Sequence, residues 1–522
     1  MVLVRRMPMS NMRGIYTSVN DIRKHVFAEI ARLSYEYKEG DLAKLAEIPY
    51  KIIPGEVSKY RDSVFLERAI VEERLRLAMG LDARSAAEQA PVTFRAEECV
   101  KPEKYYEPPL INIIKFACHS CPDNVVKVSD ACQGCLAHPC REICPKGAIS
   151  FVHGKSVIDQ DKCIKCGKCT DVCPYGAIIR LRRPCAAACG MNAIKSDEYG
   201  RANIDYDKCV SCGMCLANCP FGAIADKAQI FQTIQAIRGD APVYAAVAPS
   251  VAGQFGPDLT PEKIRPAFKA LGFEDAIEVA IGADLCTIEE AHDFVREVPA
   301  EKPFLATSCC PAWAMMAKKL FPEQSSCISM ALTPMVLTAR MIKKHHPGCK
   351  VAFIGPCAAK KLEAGRRTIR SDVDFVLTFE EIKGMFEAKE VDFKALEPLD
   401  SMHGASADGR GFAISGGVAQ AVVNCIKDLY PDREINVASA QGLDECRKLM
   451  LLAKAGKYNG YLLEGMACPG GCVAGAGTVQ PIAKSTAAVN LHKKVSTNKH
   501  SLDSKYQDIL SGIEEGLFDI PD

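Results

Sequence analysis

The chain of 522 residues has almost no charge excess: Lys+Arg 65 stand against Asp+Glu 64, a formal net charge of +1. That balance excludes the basic bias of a nucleic-acid or anionic-membrane binder. The chain also lacks any uninterrupted apolar run near the ~18–20 residues that a bilayer-spanning helix needs. Its first residues, MVLVRRMPMSNMRG, hold no apolar core long enough for a signal peptide. These absences argue against secretion and membrane insertion and lead to the expectation of a cytoplasmic protein without a membrane span. The chain further lacks plant-type 2Fe-2S spacing and any recognisable sensory or kinase segment. What it has in excess is cysteine, 27 in all, in a chain far too large to need disulfide staples. In a reducing compartment such thiols bind metal, do chemistry or sit buried.

The cysteines divide the chain. Sixteen lie from Cys118 to Cys219, ten follow, and only Cys99 precedes. Residues 1–110 read as a helical region, with helices expected over 21–37 and 59–79, Asn20 and Ser58 as N-caps and Gly80 as a stop. This region carries no evident chemistry and is expected to pack or dock. Residues 236–485 alternate short apolar runs with helical stretches, the α/β signature. Three of those runs, KPFLATSCC, KVAFIGPC and GYLLEGMAC, end on cysteine. Sites in α/β folds gather where strands end, so one shared site is expected there. Residues 486–522 form a tail in which Leu502, Tyr506, Ile509, Leu510, Ile513 and Leu517 share one helical face, an amphipathic docking helix.

Residues 111–235 contain an internal repeat. Cys163, Cys166, Cys169, Cys173 and Cys209, Cys212, Cys215, Cys219 each follow the bacterial ferredoxin run C-x2-C-x2-C-x3-C-P. Cys132, Cys135, Cys140 and Cys144 repeat it with one extra residue, and a shortened unit keeps Cys185 and Cys189. All four units continue into a similar phrase: KGAI, YGAI, MNAI, FGAI. In such repeats three close thiolates hold one 4Fe-4S cluster and the fourth reaches the other cluster of a pair. The expected groups are Cys132, Cys135, Cys140, Cys173; Cys163, Cys166, Cys169, Cys144; and Cys209, Cys212, Cys215, Cys189. Cys185 and Cys219 then lack two partners, which Cys118-His-Ser-Cys121 can supply as a fourth cluster. The alternative pairs the second run directly with the fourth and regroups the ligands, so three or four accessory clusters are expected. Zinc ribbons use paired C-x2-C knuckles and do not need this spacing.

Three further motifs lie beyond the repeat: TSCCPAW over 307–313, GPCAAKKLE over 355–363 and EGMACPGGCVAGAG over 464–477. Neighbouring side chains of an extended segment point to opposite faces, so Cys309 and Cys310 are poorly suited to grip one metal. Lys360 is costly to bury unless it faces an anionic group.

Together these motifs resemble the active-site signatures of FeFe (iron-only) hydrogenases over about residues 240–485. The resemblance implies a two-lobed α/β H-cluster domain with sheets flanked by helices, preceded by ferredoxin-like 4Fe-4S domains and the helical N-terminal region. It implies catalysis of 2H⁺ + 2e⁻ ⇌ H2 at an H-cluster, a 4Fe-4S cubane bridged to a di-iron centre with CO, cyanide and an azadithiolate. Carried over motif by motif, Cys310, Cys357, Cys468 and Cys472 hold the cubane, with Cys472 bridging. Cys309 passes protons, Lys360 and Ser250 each bind a cyanide, and Pro249 and Met466 line the pocket. The segment DLCTIEEAHD resembles the family's proton-path helix, giving Glu290 and Asp293, with Ser329 between them. Asp293 replaces the usual glutamate, one methylene shorter, a gap that a water could close. The implied partners are a ferredoxin or similar electron carrier, H2 and protons, and di-iron maturation proteins. Gly355, Met335 and Ala312 depart from the common residues and suggest the branch called group B. Cys286, Cys327, Cys349, Cys425 and Cys446 match no ligand position and are expected to be packing thiols. Two other classes stay open: a hydrogen-sensing relative with slow turnover, and an iron–sulfur assembly protein related to hydrogenases.

Overall fold

A computed structural model describes residues 15–510 except 86, 88, 103–106, 367, 368, 370, 371, 400, 401 and 403. Two parallel sheets organise its second half. One orders strands Asp275–Glu278, Val243–Val247, Lys350–Gly355 and Phe375–Thr378. The other orders Leu305–Ala306, Tyr461–Met466 and Asn436–Gln441. Helices cover both, giving the expected mixed α/β architecture. Five of these strands coincide with the apolar runs of the sequence. Asp275–Glu278 and Asn436–Gln441 were not anticipated, because neither is an apolar run of any length. Asn436–Gln441 is an edge strand with mostly exposed residues.

The N-terminal helices belong to the same core as the first sheet. The helix Ser18–Glu36 buries Val26, Phe27, Ile30 and Leu33 against the helix Phe379–Ala388. A Cβ at Gly384 would lie 2.5 Å from Phe27 Cβ, so glycine permits this close approach. The helix starts earlier than expected: Thr17, not Asn20, is the N-cap, and Asn20 completes a capping box. The next long helix starts later, at Val64 with Ser63 as cap in place of Ser58. The reason is the buried Glu67 carboxylate, which accepts the backbone N–H groups of Lys59 and Arg61 at 2.8 Å and holds them outside the helix. Gly80, in the left-handed region, follows the last turn as expected.

The cysteine block is two nested units. Ile111–Ile113 pairs antiparallel with Ile224–Asp226, and Ile194–Ser196 pairs with Ala202–Ile204, forming an inner unit from both ends of the block. Val125–Val128 pairs with Ile178–Leu181 and Ile149–Val152 with Lys155–Ile158, forming an outer unit inserted between them. Pairing Ile113 with Ile224 is what returns Cys118 and Cys121 to the neighbourhood of Cys185 and Cys219. The inner unit is tied to the second half of the chain by the fully buried Lys361, whose Nζ is 2.7 Å from Asp226 Oδ2 and donates to Lys227 O at 2.8 Å. Its other carboxylate partner is Glu381, at the start of the helix Phe379–Ala388. Severing one arm of such a buried ionic cluster typically costs about 3–5 kcal/mol.

The helix Ile482–Lys494 crosses the expected division at 485. In the tail, Ser501–Asp503 is a short 3-10 turn rather than the start of a long helix. Ser501 is held there because its hydroxyl donates to the buried Asp284. Ile509 is buried in the main core, with Tyr506 and Leu510 packed beside it; Ile513 and Leu517 lie outside the described residues. No described helix is long and apolar enough to cross a membrane.

Candidate functional site: a thiol-ringed cavity and its approaches

The strands of both sheets deliver their C-terminal ends to one cavity of about 90 Å³. Val243–Val247 leads into Pro249 and Ser250, and Lys350–Gly355 into Cys357. Leu305–Ala306 leads into Cys309 and Cys310, and Tyr461–Met466 into Cys468 and Cys472. All of these residues, with Met466 and Lys360, line the cavity. Glycines make the convergence possible. A Cβ at Gly465 would enter the ring of the fully buried Trp313, and one at Gly475 would meet Pro356. The Trp313 indole donates to Thr307 O at 3.0 Å, fixing the turn before Cys309. Cys309 and Cys310 share the cavity, although their backbone is extended at Cys310. The departures at 355 and 335 are legible here: Phe353 fills the space beside Gly355, where an added Cβ would lie 2.5 Å from its ring, and Met335 reaches the cavity wall.

The wall is apolar except for a few groups, and two of them are unsatisfied. Ser250 Oγ and Lys360 Nζ are buried without a hydrogen-bond partner. Lys360 Nζ does lie 2.7 Å from Glu363 Oε2, an ion pair lacking hydrogen-bond alignment. Burial pulls the Lys360 pKa down, but Glu363 and the Cys357 and Cys309 thiols outweigh it, leaving the ammonium above its usual range. A buried hydroxyl left without a partner, as at Ser250, costs ~1–3 kcal/mol, and an anionic acceptor in the cavity would satisfy it and also face the Lys360 ammonium. Burial also pushes the Cys357 thiol up to about 11 and Cys472 up to about 12, with Cys310 raised as well. Thiols so placed ionise when a metal cation replaces their protons. The donor set thus fits an anionic, thiolate-ligated iron group.

Behind Cys309 lies a run of acidic groups. Glu290, on the helix Ala280–Glu297, is fully buried; its Oε1 accepts the Ser308 N–H at 3.1 Å, while its Oε2 has no partner. Burial holds its pKa up at about 8, although Ser308 N–H and the Ser329 hydroxyl pull it down. Ser329 is buried, its hydroxyl accepting the Ala331 N–H at 3.1 Å. Asp293 is raised by burial and pairs at 2.5 Å with Arg296, which reaches solvent. The sequence reading missed Glu289. Its carboxyl is raised to about 7 by burial and by Asp293, and its Oε2 is buried without a partner. The signal was the Glu-Glu pair itself, of which only the residue matching the motif was retained.

In the block, the cysteines line small cavities. Cys132, Cys135, Cys140 and Cys173 share one, Cys144, Cys163, Cys166 and Cys169 another, and Cys118, Cys121, Cys185 and Cys219 a third, each about 20 Å³. Cys189, Cys209 and Cys212 pack together, and all three act electrostatically on the buried Cys215. Backbone conformation repeats as well. The residue before the second cysteine of the first C-x2-C in each loop is left-handed: Ser120 at φ 47°, Gly134 at 58°, Lys165 at 57° and Ser211 at 52°. Cys118-His-Ser-Cys121 is therefore built like the other three loops. The same holds for Gly147, Gly176, Asn192 and Gly222 in the four -AI phrases, where asparagine tolerates the left-handed φ of 51°. Amide N–H groups also point at sulfur in matching places, Ala148 to Cys144 and Ala193 to Cys189, both at 3.3 Å. Among the described residues no three His, Cys, Asp or Glu side chains converge as ligands of a single metal ion.

Cys212 joins block to cavity, for it lines the catalytic cavity too. A Cβ on the adjacent Gly213 would lie 2.5 Å from Ala476 Cβ, a measure of how closely the two halves meet. Cys99, Cys286, Cys327, Cys349, Cys425 and Cys446 are all buried, and no cysteine forms a disulfide.

Comparison with known proteins matches residues 241–476 to the family "Iron only hydrogenase large subunit, C-terminal domain". Residues 156–179 match a 4Fe-4S binding domain and 183–223 a 4Fe-4S dicluster domain. Iron hydrogenase 1 of Clostridium pasteurianum is 28% identical over 407 residues, covering 67% of this chain and 70% of that protein. Cytosolic iron-sulfur assembly component 3 of Bos taurus is 27% identical over 283 residues, 44% of this chain and 59% of that protein. The periplasmic [Fe] hydrogenase large subunit of Nitratidesulfovibrio vulgaris is 30% identical over 370 residues, 62% of this chain and 86% of that protein. With the matched region supplying every lining residue of the thiol-ringed cavity except Cys212, and a relative 30% identical over 86% of its length, the chain belongs to the iron-only hydrogenase family, extended by 4Fe-4S domains.

Proposed function

We propose that the chain is a hydrogenase interconverting protons, electrons and H2 at an H-cluster that Cys310, Cys357, Cys468 and Cys472 would hold. When bound, that group supplies the iron at which H2 is formed or split. Ser250 and Lys360 donate to its cyanides, with Glu363 keeping the lysine charged. Pro249, Met466 and Phe353 keep bulk water out. Cys309 exchanges protons with the cofactor on one side and with Glu290 on the other. Because Glu290 stays protonated near neutral pH, it has a proton to give, and Ser329, Asp293, Glu289 and Arg296 extend the path to solvent. A water between Ser329 and the short Asp293 completes it.

The observation that carries this reading is the partnerless Ser250 Oγ and the buried, charged Lys360 Nζ on an otherwise apolar, cysteine-ringed wall. The four cysteine groups of the block would hold accessory 4Fe-4S clusters, which would supply one-electron transfer between a carrier and the cavity. The Cys132 and Cys163 groups come first, then the Cys118/Cys121/Cys185/Cys219 group, then the group containing Cys212. A ferredoxin or similar carrier supplies the electrons, maturation proteins install the di-iron unit, and the free thiols suit a reducing cytoplasm. The test is anaerobic maturation followed by H2 evolution from reduced methyl viologen, with infrared spectroscopy of the cyanide and CO bands. Bands with turnover support the hydrogenase. Bands with slow turnover favour a sensor, and iron–sulfur clusters that never acquire the bands favour an assembly protein, as for the bovine relative.

A further inference from the structure

Of the 27 cysteines, Cys166 alone is exposed. It belongs to the cavity lined by Cys144, Cys163, Cys166 and Cys169, in the outer unit and away from the catalytic half. Lys146, Lys165 and Lys168 frame the same cavity, together with Ile164, which is 55% exposed. None of these three lysines has an ion-pair partner among the described residues, whereas nearby Lys162 is paired with Asp159 at 3.5 Å. The charge is local. Residues 125–181 hold eight Lys and Arg against five Asp and Glu, a net of +3 in a chain whose total is +1. An apolar contact ringed by unpaired cations, directly over a redox centre, is complementary to an acidic protein surface.

We propose that this face is the docking surface for a small, acidic one-electron carrier protein. The inference rests on the reading of the cavity as a 4Fe-4S site and adds where electrons come in. Each docking event passes one electron, oxidising the carrier and reducing the cluster beneath Cys166. Unpaired surface lysines steer such a partner at low ionic strength, and the effect fades as salt shortens the screening length.

The test compares the matured wild type with the variant Lys146→Glu/Lys165→Glu/Lys168→Glu, using two donors: an acidic 2[4Fe-4S] ferredoxin and methyl viologen. The variant is expected to lose on the order of tenfold or more in ferredoxin-linked kcat/KM and most of its salt dependence, with viologen-linked turnover and iron content unchanged. The variant Lys146→Gln/Lys165→Gln/Lys168→Gln should fall between, and the corresponding arginine variant should behave as wild type. Binding of the ferredoxin to the chain, measured calorimetrically at low salt, should weaken in the same order. That readout does not need turnover, so an inactive wild type would defeat the hydrogenase reading while leaving the docking claim open to decision. Unchanged ferredoxin-linked kcat/KM and binding, or equal losses with both donors, would overturn the proposal.

Discussion

The cysteine block and the catalytic cavity both collect thiols, but by opposite means. The block does it locally: short loops with a left-handed residue at a fixed place, repeated four times, and amide N–H groups aimed at sulfur. The cavity does it remotely, drawing on strand ends 163 residues apart in sequence, from Cys309 to Cys472. Their surroundings differ in the same sense. No carboxyl lines the three small cavities of the block, whereas the large cavity has Ser250, Lys360 and a buried carboxyl run behind Cys309. On the proposed reading, one arrangement holds clusters for electrons alone and the other manages protons as well.

The largest expected effect separates the two regions cleanly. Cys309→Ala should lower H2 turnover by about 10²–10⁴-fold, the usual worth of a positioned acid–base group. Total iron and the cyanide and CO bands should remain, since Cys309 is not a ligand. Unchanged turnover would erase the distinction between the regions.

Next comes Glu290→Gln, expected to reduce turnover by about 10²-fold and to change stability with pH. The folded Glu290 holds its proton up to about 8 against an ordinary 4.5. It therefore contributes stability that is full below 4.5 and is lost as pH rises through about 8. Melting curves of the wild type should decline across that window, and the glutamine variant should flatten the decline. Glu289→Gln should show the same pattern at smaller amplitude, because its carboxyl is raised only to about 7.

On the electron side, Cys185→Ala should remove about four irons of the roughly twenty that five cubanes contain, leaving the cyanide and CO bands intact. Iron content unchanged by this substitution would return Cys118, Cys121, Cys185 and Cys219 to ordinary thiols. The smallest effect tests the seam. Gly213→Ala should destabilise by about 1–3 kcal/mol, from the left-handed φ of 76° and the clash with Ala476, and slow viologen-independent electron delivery more than proton exchange.

The contrast also explains what could be read from sequence. Loop spacing within the block is covalent and short, so spacing offered a grouping of Cys132 to Cys173, with the pairing of the second run and the fourth left as an alternative. Even there, Cys118 and Cys121 needed the pairing of Ile113 with Ile224, a long-range contact that no spacing encodes. In the cavity the residues were legible only through family resemblance, because the two sheets that bring Ser250, Cys357 and Cys472 together are set by tertiary packing. Glu289 escaped because burial, not residue type, gives it a raised pKa. The helix start at Val64 escaped because Glu67 caps a loop from within the helix. The strand Asn436–Gln441, polar and exposed, carried no hydrophobic pattern to read.

The central claim is that this cavity activates H2 and that Cys309 carries its protons. Mass-spectrometric exchange between H2 and D2O, on matured protein with no electron donor added, tests it most directly. The account requires HD and D2 from the wild type and almost none from Cys309→Ala with its infrared bands intact. Absence of exchange in a wild type with a complete set of bands, or equal exchange in both proteins, would contradict it.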